Sequence, residues 1–136
     1  YKVKPIEILG CSARGSSTIA LMASFPIVKE RVKHWGEEVK KARWFSAQME
    51  ALGDIEQLGD SPHNHDLIRF ETPAFDRIAQ KHRRRGYFLY EELLERKIAG
   101  VKAGKTKAFD LSTYQLTNEQ LKYIIDSFKD IIEKYS

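Results

Sequence analysis

The stretch HDLIRFETPAFDRIA, residues 65–79, decides the fold class of this chain. Its first half alternates apolar and charged residues around Ile68 and Phe70, which is the period of a half-buried β-strand. Its second half begins with Thr72 and Pro73, and proline is favoured at the first position of a helix. The apolar residues that follow recur at helical spacing, namely Phe75, Ile78 and Ala79. A strand that runs directly into an amphipathic helix indicates a fold in which a sheet packs against helices.

Upstream of this stretch, residues 17–52 predict one long helix. Their apolar residues recur every three or four positions and form one seam: Leu21, Phe25, Val28, Val32, Trp35, Val39, Ala42, Phe45, Met49 and Leu52. Pro26 removes a backbone donor and Gly36 weakens a helix, so we expect a kink or break near one of them. Gly53 is placed to end the helix.

Downstream, the pattern predicts further short strands and helices. We expect strands at residues 55–58 and 108–114, with Val101 as another candidate. A helix over Tyr87–Lys97 has three leucines that we expect to face inward: Leu89, Leu93 and Leu94. A capping box at residues 117–120 opens a clearly amphipathic last helix. The predicted fold class is α+β, an antiparallel sheet packed by helices, with the long helix as a connector to another domain.

The composition fits an ordered chain without a membrane span. Its 136 residues are 42% hydrophobic and 31% charged, which excludes a disordered tail. No apolar run approaches the roughly 20 residues that cross a bilayer, and no signal peptide pattern is present. The single cysteine, Cys11, excludes an internal disulfide and fits a reducing, cytoplasmic location.

The start of the chain suggests a longer protein. The first residue is Tyr1, and the chain soon enters an apolar strand at residues 5–9. A strand at a terminus needs neighbours on both sides to satisfy its backbone groups. We therefore expect this chain to be a piece of something longer.

Cys11 is the first candidate for chemistry. It follows the predicted strand in a loop of small residues, three positions before Arg14 and close to a helix that Ser16 or Ser17 is placed to cap. Positive charge and helix-end N–H groups favour a thiolate, which makes Cys11 a candidate nucleophile or sulfur carrier. Arg14 and the adjacent serines are candidate phosphate ligands on the same grounds. A lone cysteine is also often a small buried residue without chemistry, and the residues alone leave both interpretations open.

The net charge is +4, and the excess is concentrated in two segments. The first is KHRRR at residues 81–85, and the second is KAGKTK at residues 102–107. The cations that we select as candidate contacts to the phosphate backbone of a nucleic acid are Lys81, Arg83, Arg84, Arg85, Lys105 and Lys107. Tyr87 and Phe88 follow the first segment, where aromatic rings would stack on bases. A helix C-terminus also favours positive charge, so an ordinary solvated surface stays open as the alternative.

The histidines do not have the spacing of a metal site. His63 and His65 lie two apart in a loop, and no second His/Cys cluster accompanies them. We interpret them as hydrogen-bonding groups at the entry of the next strand, and His34 and His82 as surface residues. No glycine-rich phosphate loop, CxxC pair or Ser/His/Asp arrangement appears, so residue patterns alone predict an α+β domain with one poised cysteine and a basic patch.

Several blocks of the sequence together resemble the O-phosphoseryl-tRNA:cysteinyl-tRNA synthase family of methanogenic and related archaea. They are EILGCSARG at 7–15, ALMASFP at 20–26, HDLIRFETP at 65–73, KHRRRGYFLYEEL at 81–93 and LSTY at 111–114. The resemblance runs from Tyr1 to Ser136 and corresponds to roughly the last third of the family's length.

This resemblance implies the small C-terminal domain of an aminotransferase-like (fold type I) pyridoxal-phosphate enzyme that forms a homodimer. Residues 1–16 would end the large cofactor domain, 17–53 would form the connector helix, and 54–136 would form the small domain. The lysine that holds pyridoxal 5′-phosphate would lie upstream of Tyr1, so this chain alone is expected to be inactive. Ser16 or Ser17 would stand in for a threonine that reaches the cofactor phosphate in related enzymes.

The resemblance also implies a reaction and its partners. The parent enzyme would convert O-phosphoseryl-tRNA(Cys) to cysteinyl-tRNA(Cys) by eliminating phosphate and adding sulfur, as a tRNA-linked sulfhydryl transferase. Cys11 would act with a cysteine pair from the N-terminal part to hold a persulfide, and an iron–sulfur cluster has been proposed for the same thiols. The partners would be tRNA(Cys) carrying phosphoserine, the O-phosphoseryl-tRNA synthetase and a bridging protein.

Two other functions stay open at this point. One is a non-catalytic tRNA-binding or docking module that uses residues 81–85. The other is a cysteine desulfurase or selenocysteine lyase, whose members place an arginine near the position of Phe109 to pair with a free substrate carboxylate. This chain has a phenylalanine there, which argues against the second alternative. A carboxyl group that is esterified to tRNA is uncharged, so a buried arginine at this position would have no partner.

Overall fold

The structure of the chain is a computed structural model that describes residues 15–135. The predicted strand at residues 5–9, Cys11 and Arg14 lie outside the described residues, as does the side chain of Ser16. The chain divides into two compact units, Tyr1–Gly36 and Glu37–Ser136.

In the first unit, helix α1 spans Gly15–Lys33 and contains Pro26. The chain turns at His34, and helix α2 spans Trp35–Glu50. The predicted break is therefore confirmed, and it lies at His34, two residues before Gly36. The prediction that Ser16 or Ser17 caps the helix is wrong, because both serines have helical backbone whereas a capping residue flanks the helix.

The apolar residues of α1 are exposed, and they surround the helix. Leu21, Phe25 and Val32 of the predicted seam are solvent-accessible, and so are Ile19 and Met22 on other sides. A helix that is apolar around its circumference is normally buried or membrane-spanning. However, no helix among residues 15–135 is long and apolar enough to cross a membrane.

The second unit has the α+β architecture that the sequence predicts. After α2 the elements follow in the order β1 (Glu56–Leu58), β2 (Leu67–Glu71), α3 (Pro73–Lys81), a 3-10 turn (Arg85–Tyr87), α4 (Phe88–Glu95), β3 (Ala108–Ser112) and α5 (Asn118–Tyr135). The three strands form an antiparallel sheet in the order β1-β2-β3. Within it Arg69 lies opposite Asp110, and Phe70 lies opposite Phe109.

One face of the sheet packs on the helices and forms the core. Ile68 and Phe70 are fully buried, as their alternation predicts. The ring centroid of Phe75 in α3 lies 5.5 Å from that of Phe128 in α5 and 6.3 Å from that of Phe109 in β3. The α2 half of the predicted seam is also part of this core, through Ala42, Phe45 and Met49.

Two predictions for individual apolar residues need correction. Leu89 and Leu93 are buried, but Leu94 is exposed because it lies on the opposite side of the short helix α4. Val101 is buried in a loop and belongs to no strand. Phe109 lies in the core against Phe75 and Phe128.

The two predicted helix starts differ in their chemistry. At α5 the capping box is confirmed, because Gln120 N–H donates to Thr117 Oγ1 and Thr117 N–H donates to Gln120 Oε1. At α3 Thr72 precedes Pro73 as predicted, but its hydroxyl makes no capping bond. The hydroxyl donates instead to the carbonyl of Thr106 across 2.7 Å, which attaches the loop before β3 to the start of α3.

A buried carboxylate joins α4 to the end of α5. Glu92 accepts hydrogen bonds from Arg96 Nη1 and Lys134 Nζ, each at 2.7 Å, and from the hydroxyl of Tyr135. Burial alone would raise the pKa of Glu92, but the bonds from Lys134, Tyr135 and Arg96 outweigh burial and lower the pKa from 4.5 to about 2. The same bond to Glu92 raises the pKa of Lys134.

We predict that Glu92→Gln removes a pH-dependent part of the stability. Because the folded pKa lies below the unfolded one, ionised Glu92 stabilises the fold above about pH 4.5, and this contribution is lost as the pH falls towards about 2. The loss near neutral pH is at most about 3 kcal/mol in the free energy of unfolding, and solvent screening at half-exposed Lys134 reduces it.

Urea unfolding at several pH values between these limits checks the prediction. Glu95→Gln is the matched control, since Glu95 is an exposed carboxylate on the same helix. Identical pH profiles for the two variants would contradict the assignment.

Candidate nucleic-acid interface

The first basic segment, residues 81–85, begins at the end of α3, and its backbone folds around the side chain of His82. The ring of His82 packs against Phe88 and Tyr135, with centroid distances of 5.3 and 5.0 Å. The backbone N–H of Arg84 donates to His82 Nδ1 across 3.1 Å. His82 therefore anchors the segment, and its interpretation as an ordinary surface residue is wrong. The aromatic neighbours come from α4 and α5, which spacing along the sequence does not bring together.

The arginines and the lysine of this segment differ in whether their charge is compensated. Arg84 forms an ion pair with Glu91. Within residues 15–135, Lys81, Arg83 and Arg85 are exposed and form no ion pair. Three of the four predicted cations in the segment are thus available to an anionic partner, and the fourth is already partly neutralised.

Of the two aromatic residues that follow the segment, one is available for stacking. Tyr87 is 59% exposed, whereas Phe88 is 1% exposed and packs into the core. The prediction that Phe88 stacks on a base is therefore wrong. Tyr90 lies three positions beyond Tyr87 and is also partly exposed, so the exposed aromatic surface next to the basic segment consists of these two tyrosines.

The second basic segment, residues 102–107, contains a tight turn. Lys105 N–H donates to the carbonyl of Lys102 across 3.1 Å, and Gly104 has a φ of 82°. A positive φ at the third position is typical of a type II turn and favours glycine. The turn brings Lys102 and Lys105 side by side at its two ends. Together with Lys107 they are exposed and unpaired among the described residues.

A close backbone contact joins the two segments. The N–H of Gly104 donates to the carbonyl of Gly86 across 3.1 Å. A Cβ added to Gly86 would lie only 3.1 Å from Cα of Gly104. Glycine at position 86 therefore allows an approach that a side chain would hinder, and the two segments, which the sequence predicts separately, form one basic surface.

The sequence prediction misses two cations of this surface. Arg69 and Lys102 line a cavity of about 480 Å³ together with Lys105 and Asp110. The signal for Arg69 is the alternation of β2, which buries Ile68 and Phe70 and leaves Arg69 on the outer face. Lys102 is part of the KAGKTK segment but was not among the selected contacts.

The remaining predicted residues lie elsewhere. Ser17 is exposed in the first turn of α1. The N–H of Leu67 donates to His65 Nδ1 across 3.0 Å, which confirms a hydrogen-bonding role at the entry of β2. The carbonyl of His63 accepts a hydrogen bond from Arg43 Nε across 2.6 Å, so this loop is held against α2.

The sequence profile of the family described as O-phosphoseryl-tRNA(Sec) selenium transferase, SepSecS, matches residues 1–133. The chain belongs to the SepSecS family. Its relatives include proteins named O-phospho-L-seryl-tRNA:Cys-tRNA synthase, and the resemblance found in the sequence is confirmed.

Two of these relatives show the extent of the similarity. The protein from Methanothermobacter thermautotrophicus is 52% identical over 134 residues, which cover 98% of this chain and 36% of the relative. The protein from Methanocaldococcus jannaschii is 50% identical over 133 residues, covering 98% and 35%. The chain thus spans about a third of the length of the relatives that it matches.

A solved structure has a similar fold. It is a crystal structure of a SepCysS–SepCysE N-terminal domain complex, with a TM-score of 0.79 and 49% sequence identity. The similarity covers 88% of this chain and 32% of the solved chain. It confirms the predicted fold class.

We predict that Gly86→Ala disturbs the contact between the two basic segments. The added methyl group would meet the backbone of Gly104, and overpacking of this kind costs about 1–3 kcal/mol in the free energy of unfolding. Gly36→Ala is the control, because open space surrounds Gly36 in helix α2 and alanine is the better helix former there. Urea unfolding of both variants measures the difference, and equal midpoints would argue against the contact.

Proposed function

We propose that this chain is the C-terminal part of a pyridoxal-phosphate enzyme that converts O-phosphoseryl-tRNA(Cys) to cysteinyl-tRNA(Cys). The observation that carries this proposal is the identity of 50–53% to proteins named O-phospho-L-seryl-tRNA:Cys-tRNA synthase, over 98% of the chain. The activity is proposed for a polypeptide of the relatives' length, of which this chain would supply the part that holds the tRNA and one thiol.

The second unit is the proposed tRNA-binding part. Its two basic segments meet at Gly86 and Gly104, and most of their cations have no carboxylate partner among residues 15–135. When unpaired cations contact the phosphates of a nucleic acid, the counterions bound to those phosphates are released. This release supplies affinity that does not depend on the base sequence. The exposed ring of Tyr87 adds a surface on which an unpaired base stacks.

Cys11 is the proposed sulfur-carrying thiol. It lies outside the described residues, so the proposal is supported by its position beside Arg14 in the sequence and by the relatives. A nearby guanidinium favours the thiolate, which is the form that accepts and donates sulfur. Arg14 is proposed to bind the phosphate group of the substrate. We also propose that Cys11 holds a persulfide or, together with other cysteines, an iron–sulfur cluster.

The start of α1 fits the phosphate end of pyridoxal 5′-phosphate. Its first turn contains no acidic residue, Ser17 exposes a hydroxyl there, and N–H groups at a helix start attract phosphate. When bound, the cofactor supplies an electron sink for the elimination of phosphate. The role proposed for Ser16 and Ser17 is to hold its phosphate, and the cofactor lysine is proposed to lie upstream of Tyr1.

The proposed assembly is a cytoplasmic homodimer with protein partners. The solved relative was crystallised with the N-terminal domain of SepCysE, which supports a bridging protein between this enzyme and the O-phosphoseryl-tRNA synthetase. Residues 1–16, 17–53 and 54–136 are proposed as the end of the cofactor domain, the connector and the small domain. The exposed apolar residues of α1 support a location of that helix against other parts of the polypeptide.

A non-catalytic tRNA-docking module is the second candidate. It is favoured by the position of the basic surface, since all of its cations belong to the second unit and none to the segment that contains Cys11. A desulfurase or selenocysteine lyase acting on a free amino acid has no such support. Activity on O-phosphoseryl-tRNA separates the first two candidates.

We predict that the double variant Arg83→Gln/Arg85→Gln of the full-length protein binds tRNA more weakly and with a smaller salt dependence. Loss of two phosphate contacts should reduce the slope of log K against log salt by about 1.5–2. Arg84→Gln is the control and should change the slope less, because Glu91 already compensates Arg84. Filter binding or fluorescence anisotropy at several salt concentrations measures both slopes. An unchanged slope in the double variant would mean that residues 81–85 are an ordinary solvated surface and do not contact tRNA.

We predict that Cys11→Ser in the full-length protein abolishes formation of cysteinyl-tRNA while tRNA affinity stays within about twofold of the native value. A serine hydroxyl cannot carry sulfur, but it keeps the size and polarity of the side chain. Acid-gel separation of the aminoacyl products measures the first quantity, and anisotropy measures the second. Retained cysteine formation would contradict the role of Cys11, whereas loss of tRNA binding would indicate a structural role.

A further inference from the structure

The cavity beside β3 is lined by side chains of both charges. Arg69, Lys102 and Lys105 line it with positive charge, and Asp110 lines it with one carboxylate. Gly100 and Ala108 are also part of the wall and have little or no side chain, which keeps the space open. Its volume of about 480 Å³ lies in the range of small-molecule sites.

The charged groups of this cavity are held by three different parts of the fold. Arg69 and Asp110 are directly opposite each other on β2 and β3. Lys102 and Lys105 are the two ends of the glycine turn, whose position is fixed by the bond from Gly104 to Gly86. Sheet pairing and the turn therefore hold the cations around one space without a long flexible loop between them.

Arg69 and Asp110 do not form the ion pair that their position allows. Opposite charges directly across an antiparallel pair usually attract each other. In the described part of the chain, however, neither residue has an ion pair, and both side chains are exposed. A guanidinium and a carboxylate that face one space without bonding leave donors and an acceptor available to a third group.

We propose that this cavity is a subsite for one ribonucleotide of an RNA backbone, in which the three cations contact the phosphodiester and Asp110 accepts a hydrogen bond from the neighbouring 2′-hydroxyl. The guanidinium of Arg69 presents paired donors that match two phosphate oxygens, and the two ammonium groups act as point charges. The proposal rests on the proposed function, because the RNA is the tRNA of that reaction.

The carboxylate distinguishes RNA from a free phosphate ion. Asp110 repels any anion, so a site built for inorganic phosphate would be weakened by it. A ribose hydroxyl next to the phosphodiester provides a donor that Asp110 can accept, and this hydroxyl is the group that separates RNA from DNA. The charge set therefore favours a ribonucleotide over both a phosphate ion and a deoxyribonucleotide.

The cations are tested in the full-length protein by Arg69→Gln and Lys105→Ala. Each variant should weaken binding of a tRNA transcript by about fivefold near physiological salt and lower the salt slope by about one. Lys122→Ala is the control, since Lys122 is an exposed lysine on α5 outside this cavity. If the native protein does not bind the transcript, the proposed function fails. If it binds and the cavity variants behave like Lys122→Ala, the subsite alone fails.

Asp110 is tested by comparing an RNA hairpin with a DNA hairpin of the same sequence. Asp110→Ala removes repulsion and the acceptor together, so DNA binding should strengthen by severalfold while the RNA-to-DNA affinity ratio falls by about threefold or more. Asp110→Asn keeps an acceptor oxygen and should retain the ratio of the native protein. An unchanged ratio in Asp110→Ala would overturn the role of the carboxylate. Inorganic phosphate could instead displace the RNA and DNA hairpins equally, and to the same extent in the native protein and the Asp110 variants. That result would assign the cavity to a phosphate ion.

Discussion

The rings of Phe75, Phe109 and Phe128 meet where α3, β3 and α5 pack together. Phe109 and Phe128 are nearly parallel, with an interplanar angle of 10° and centroids 5.8 Å apart. Burial of one residue of a strand sends its neighbours to the opposite face, so the position of Phe109 in the core directs Ala108 and Asp110 outward. The chemistry of the outer sheet face thus depends on an aromatic contact in the interior.

The basic surface depends on two further constraints, which act on the backbone. The hydroxyl of Thr72 holds the carbonyl of Thr106, and the N–H of Gly104 holds the carbonyl of Gly86. Each bond joins a segment between β2 and α4 to the loop before β3. Ordering a flexible surface lysine costs entropy, and this cost offsets much of its electrostatic attraction to a ligand. A backbone that is already fixed removes one part of the cost before a ligand binds. Local folding therefore fixes the backbone of the proposed binding surface.

Local patterns in the sequence predict the elements well, and they fail where contacts are distant. Leu67–Glu71 and the capping box at Thr117 are confirmed because alternation and a four-residue motif are complete within a few positions. The predictions for His82 and Phe88 are wrong because both rings pack against Tyr135, which lies about 50 residues further along the chain. Two of the three cavity cations, Arg69 and Lys102, are not predicted from the sequence, since only the pairing of β2 with β3 and the Gly86–Gly104 contact bring them to one place.

The proposed function divides the candidate residues between the two units. The second unit contributes cations, exposed tyrosines and a well-packed core, and among residues 15–135 no cluster of potential metal ligands is present. The role that we propose for this unit is binding, and the reactive thiol proposed at Cys11 belongs to the other unit. Contacts with parts of a substrate that do not react can position the reacting group and thereby lower the barrier. For the proposed substrate, a charged tRNA, most of the available binding surface is RNA backbone, so a basic unit in the same polypeptide is the physically expected means of holding the aminoacyl end.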